Sequence, residues 1–412
     1  MQKRWVQWVG LVCLMVVATT VRVALTTSSP SYTPTADALA AHNAYFATNP
    51  SFSETATYME AVARREGGAY AFEVLKNGSL PPGMDTHLIG HFVGDIMYEQ
   101  EGIHGMRYCD EAVGYACAHS VVINALLRDG PGVFDVINDV CASIGLPGSY
   151  DMCFHGFGHG VLAYTEFHLP EAIELCDLVG TEKNNDWEEQ ECLGGVIMEM
   201  RGGIHDPELW AVNGKPYLDP DNPLAMCQAD YLPEKYREMC YIYITPFIFD
   251  YESPADIPPP TVYADSMAWC ERIDDAYERS DCYAGFGKEY VGFALGRDVR
   301  YLNFITPEQA GLVHDWCNLA PTEEGALSCM EFALYSVYRS GSIGFDGALT
   351  FCSQARTQRS ADMCYHHFFR VAHRFHGPGR YERQLCPLVP PNRVAECQAA
   401  FRSGADWLGS PS

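Results

Sequence analysis

The chain of 412 residues is poor in positive charge. Against 53 aspartates and glutamates stand 27 lysines and arginines, only six of them lysine, for a formal net charge of −26. A surface this negative repels phosphate backbones and favours cations, which excludes nucleic acid as a partner. Several short motifs are also missing. No Cys-x-x-Cys occurs, which removes zinc-ribbon and thioredoxin-like readings, and no Cys-x-x-Cys-His, which removes covalently attached c-type haem. There is no His-Glu-x-x-His helix, no Gly-x-Ser-x-Gly elbow, no phosphate loop and no dinucleotide glycine pattern. Long hydrophobic runs are absent beyond the N-terminus. With 48% hydrophobic residues the chain nevertheless has ample material for a core.

The single apolar run follows Met-Gln-Lys-Arg and extends from Trp5 to Thr19, with Gln7 as its one polar interruption. A basic start before an apolar stretch is an export pattern. The run is short for a spanning helix of about 20 residues unless it continues to Leu25 with Arg22 snorkelling. Residues 1–25 are therefore expected to be a signal peptide or a signal-anchor helix attached to the membrane. Residues 26–53 are then a linker and tether, and 54–412 a single domain. Lys3 and Arg4 would keep the N-terminus cytoplasmic, leaving the body extracytoplasmic, either membrane-anchored or secreted.

Cysteine is plentiful and ordered. Cys13 stands apart. The other sixteen fall into eight sequential pairs: Cys109 with Cys117, Cys141 with Cys153, Cys176 with Cys192, Cys227 with Cys240, Cys270 with Cys282, Cys317 with Cys329, Cys352 with Cys364, and Cys386 with Cys397. Four pairs share the same separation of twelve positions, and from Cys141 the first cysteines recur after 35, 51, 43, 47, 35 and 34 residues. An even set in an exported chain reads as disulfides, and periods of this size mark stacked helical hairpins. The predicted fold is mainly α: solenoid-like α/α repeats, each hairpin stapled by a disulfide between the end of its first helix and the start of its second. The first pair is awkward. Eight positions along one unbroken helix would hold its sulfurs too far apart, so a turn is expected at Gly114.

The histidines are unevenly placed. His87 and His91 lie at i and i+4 on one predicted helical face that starts at Asp85, as do His155 and His159 on another. His119 comes two residues after Cys117, as His155 does after Cys153. If units stack in register, His87, His91, His119, His155 and His159 meet on adjacent helices. Neutral imidazoles at this spacing suit a transition ion such as zinc, copper or iron. Haem held between imidazoles is the lesser alternative. Asp95 continues the His87/His91 face and Glu166 lies seven positions past His159, so either is a candidate additional ligand or orienting carboxylate. Glu99, Glu166 and Glu199 are candidate bases. Gly90, Gly94, Gly156, Gly158 and Gly160 interrupt the same helices, most simply for close helix approach. A second histidine group, His366, His367, His373 and His376, sits among arginines and reads as an anion-facing or surface patch.

Two functions follow. The first is an exported metal-binding protein with its site between the first repeat helices, either an enzyme or a carrier, store or sensor of metal. The second is an extracytoplasmic scaffold that binds a protein or peptide on a concave face and has no catalytic activity.

Overall fold

The computed structural model describes residues 32–402 apart from 145–146, 181–184, 202–205, 250–257, 301, 303, 339–344 and 377–381. The apolar N-terminal run and the proposed leader or anchor lie outside the described residues. Among those described, no helix is long and apolar enough to cross a membrane.

Every regular element among the described residues is helical. The first helices are α1 (Ala36–Phe46), α2 (Phe52–Glu66), α3 (Gly68–Asn77), α4 (Thr86–Glu101), α5 (Ala116–Asp129), α6 (Phe134–Ala142) and α7 (Pro147–Tyr164). Then come α8 (Leu169–Cys176), α9 (Asn185–Met200), α10 (Pro207–Asn213), α11 (Arg237–Ile248), α12 (Pro260–Met267) and α13 (Ala276–Ala294). The last are α14 (Pro307–Cys317), α15 (Glu323–Tyr338), α16 (Asp346–Ser353), α17 (Gln358–His376), α18 (Glu382–Leu385) and α19 (Val394–Arg402). Local chemistry sets several boundaries. Asp85 caps α4, its carboxylate accepting from the Leu88 N–H at 3.0 Å. Ser51 and Glu54 form a capping box on α2. Gly67, at φ +106°, divides α2 from α3. The helix at 36–46 lies within the stretch expected to be tether, and it packs against α3 with Phe46 buried.

The helices pack in pairs, and all eight sequential cysteine pairs are disulfides with Cα–Cα distances of 5.5–5.7 Å. The second cysteine is usually not at the start of its helix but about two turns in, as Cys153 is in α7 and Cys282 in α13. Helices α7, α9, α13, α15 and α17 therefore run past their staples on both sides. The Cys109–Cys117 bridge closes because Val113, Gly114 and Tyr115 all adopt left-handed φ, between 53° and 65°, which folds the chain back ahead of α5. The repeat is unequal. Cys227 sits in a turn-rich segment and Cys270 in a single 3-10 turn, so those units lack a full first helix ending at the staple. Pro216, Pro220 and Pro223 deny helix to the approach to Cys227.

The long helices α4, α5, α7, α9, α11, α13, α15 and α17 form a continuous inner row, each packed on the next. Glycine permits the closest approaches. A Cβ on Gly158 of α7 would lie 1.7 Å from the Cys192 carbonyl oxygen, and one on Gly195 of α9 would lie 1.9 Å from that of His155. The two helices thus touch backbone to backbone. Gly158→Ala should force them apart and cost at least the roughly 1–3 kcal/mol of an overpacked core. A urea unfolding midpoint unchanged from wild type would contradict this.

The row curls back on itself. After α13 the segment 296–300 returns to the start of α4. There the Thr86 N–H donates to the Arg297 carbonyl at 3.4 Å and the Val299 N–H to Thr86 Oγ1 at 3.0 Å. The Arg300 guanidinium donates to the Gly78 carbonyl.

Candidate metal centre

Three inner helices converge on one cluster of imidazoles. His87 and His91 project from α4, His119 from α5, and His155 and His159 from α7. Their rings form a connected group. Centroid distances are 4.8 Å for His87–His91, 5.8 Å for His87–His119, 5.9 Å for His91–His119, 5.4 Å for His119–His159 and 5.1 Å for His155–His159. Among the described residues, the donor nitrogens of His87, His91 and His119 all lie within 4.8 Å of one another. The Nε2 atoms of His87 and His91 are 3.2 Å apart. Two ligands at 2.0–2.1 Å from a tetrahedral ion would be separated by about 3.3 Å.

The partners of these rings select tautomers. His87 Nδ1 faces the Val113 carbonyl at 2.8 Å. A carbonyl only accepts, so Nδ1 carries the proton and Nε2 presents a lone pair. His91 Nδ1 meets Ser120 Oγ at 2.9 Å, and donation in that direction leaves its Nε2 a lone pair as well. The left-handed turn at 113–115 aims the carbonyl that orients His87, so the geometry closing the first disulfide also sets the first ligand. His159 Nδ1 faces Glu199 Oε2 of α9 at 3.0 Å, the carboxylate–imidazole arrangement that commonly orients metal ligands. His155 lies 3.4 Å through Nε2 from Met198 Sδ and 3.8 Å through Nδ1 from Glu191 Oε2, and its ring is 4.8 Å from that of Tyr243.

His119 differs from the rest. It is 1% exposed, yet neither ring nitrogen has a partner in good hydrogen-bond geometry, the Met152 carbonyl included. A buried unpartnered polar group costs about 1–3 kcal/mol. Burial drives its pKa well below the usual histidine value, the neighbouring His159, His155 and His87 push the same way, and the Met152 carbonyl only partly opposes them. His87 is lowered too, chiefly by burial, with His159 and the Lys288 ammonium adding to it while Asp85 and the Val113 carbonyl oppose it. Both rings are therefore neutral near pH 7, the form that binds metal.

Other buried histidines are provided for differently. His42 bonds the hydroxyls of Tyr58 and Tyr70 at 2.8 and 3.2 Å, and His314 Nε2 donates to the Phe351 carbonyl at 3.0 Å. Burial lowers the His314 pKa to about 4. Unfolded, this ring takes a proton near pH 6.5; folded, it refuses one until about 4. Stability is therefore unaffected above 6.5 and falls as pH drops through that window, by about 3 kcal/mol for this residue. His314→Gln, which can still donate to Phe351 but does not titrate, should flatten this part of the pH profile. Equal slopes for variant and wild type, from urea midpoints at pH 7 and 4.5, would exclude the effect.

Among the carboxylates named from the sequence, Glu199 meets His159 of the cluster. Asp95 accepts from Asn124 Nδ2 at 2.8 Å and thereby ties α4 to α5. Glu166 is exposed in the turn after α7, at φ 53°, because that helix ends at Tyr164 before reaching it. Glu99 pairs with Arg64 in solvent. Glu199 and Glu191, both buried, face His159 and His155. A signal for Glu199 exists in the sequence, a lone acid in the otherwise apolar run Leu193–Met200. Of the late histidines, His366 and His367 face the carboxylates of Glu396 and Glu331, and His366 is exposed. The imidazole rings of the main cluster pack on one another. The chain matches no family model, no curated protein and no solved structure among known proteins.

Proposed function

We propose that this is an exported metalloprotein that holds a transition ion on His87, His91 and His119, with His159 and His155 behind them. The observation that carries the reading is His119: fully buried, without a well-placed hydrogen-bond partner at either ring nitrogen, and beside two Nε2 atoms already at ligand spacing. Neutral imidazole is a ligand for zinc, copper and iron alike. Every described cysteine is in a disulfide, so no thiolate competes for the ion. Three nitrogens from the protein leave one position of a tetrahedral ion open, the arrangement of reactive rather than structural zinc sites. The eight disulfides belong to an oxidising compartment outside the cytoplasm, and the basic, apolar N-terminus supports export. Elemental analysis of protein prepared under oxidising conditions should find about one zinc, copper or iron per chain. No metal, natively or after reconstitution, would overturn the reading in favour of a binding scaffold.

A further inference from the structure

Among the described residues, His87 is the most exposed member of the cluster, and cations stand beside it. His91, His119, His155 and His159 are at most 1% exposed, whereas His87 is only half-buried. Around His87 the chain places α13 and the segment that follows it. The Arg297 carbonyl accepts from the N–H of Thr86, the residue before His87. Lys288 Nζ stands 4.4 Å over the ring of Tyr243, which in turn packs on His155. Both cations retain solvent contact, with side chains 18% and 16% exposed.

Glu289 meets Lys288 at 2.9 Å and Arg297 at 3.8 Å, one carboxylate between two cations. Burial alone would raise its pKa; Lys288, Arg297 and Arg201 together bring it down to about 2. Asp85 is committed to capping α4, and the buried Glu191 and Glu199 face His155 and His159. Arg297 Nε is buried without an acceptor. Gly292 lies one turn beyond Lys288, and a Cβ there would meet only Arg297 Nη1, at 3.7 Å, so the wall has room beside the cations. In a chain of net charge −26, two cations that share one carboxylate beside His87 offer a place for an anionic visitor.

We propose that Lys288 and Arg297 form an anion-binding wall, and that the centre accepts a small inorganic or carboxylate anion as the ligand completing the ion's coordination. This rests on the three-histidine reading above. The ion and the two side chains then act on the same negative charge, while the acidic exterior turns away large polyanions.

The test uses the exported protein loaded with cobalt(II), whose visible spectrum reports changes in coordination, titrated with azide. Wild type should show a saturable spectral change. Lys288→Gln should bind azide about tenfold more weakly, Lys288→Arg should restore affinity, and Arg297→Gln should weaken it similarly, with cobalt content unchanged in all three. No spectral change in cobalt-loaded wild type, or equal azide affinity in wild type and both Gln variants, overturns the anion wall and leaves the metal reading standing. Failure of wild type to take up cobalt overturns both.

Discussion

Replacing His119 with alanine is expected to remove the metal. One of three protein ligands is lost, and the binding free energy of a full set of ligands, about 10–16 kcal/mol in structural zinc sites, implies a drop of roughly 10²–10³-fold in affinity. The variant should also separate binding from folding. His119 has no partner in good hydrogen-bond geometry, so its removal relieves a buried unsatisfied group while leaving a modest cavity. The metal-free variant should therefore melt close to the metal-free wild type. What should vanish is the stabilisation by added zinc, which for a site saturated at 1,000 times its Kd is about 4 kcal/mol. Glu199→Gln tests the shell behind. It keeps an acceptor for His159 but removes the charge, and a weakening of about 10–100-fold is expected if His159 contributes to the ion. His42→Ala, a tyrosine-bonded histidine remote in the fold, should leave metal content unchanged. Wild-type zinc stabilisation in the His119 variant would refute the assignment of this ring as ligand.

Much of this was legible because cysteine spacing is a geometric constraint. Local pairs force the chain to double back every few dozen residues, and only helical hairpins do so at this period. The offset of two residues between staple and histidine placed His119 and His155 in register, and the i, i+4 spacing placed His87 with His91 and His155 with His159. Periodicity carries no information about where a helix stops. Glu166 continues the His159 face only on paper, because the chain leaves α7 at Tyr164. Backbone groups were equally hidden. The Val113 carbonyl that orients His87 depends on three successive left-handed residues, two of them not glycine, a conformation that sequence argues against. The return of segment 296–300 to α4 joins residues more than two hundred positions apart, and no local pattern encodes it. Lys288 and Arg297 were therefore invisible as neighbours of His87.

Reduction should have the largest effect on the whole molecule. Each staple closes a loop of 8–16 residues, and in the chain-entropy account a loop of that size stabilises by about 3 kcal/mol. A net stability of about 5–15 kcal/mol is matched by only a few such bridges. Full reduction should abolish cooperative unfolding by circular dichroism and release the ion. Position then distinguishes the staples. Cys141–Cys153 holds α7 two residues before His155, and Cys109–Cys117 holds α5 two residues before His119. Cys317–Cys329 lies on α14 and α15, away from the imidazoles. Removing either Cys141–Cys153 or Cys317–Cys329 as a Ser/Ser pair should lower the melting temperature comparably. Only the first should also weaken metal binding in the still-folded protein at low temperature, because it frees the register of one ligand helix against the next. Equal metal affinity in the two double variants would show that packing of α5, α7 and α9 through their glycines holds that register without the staple.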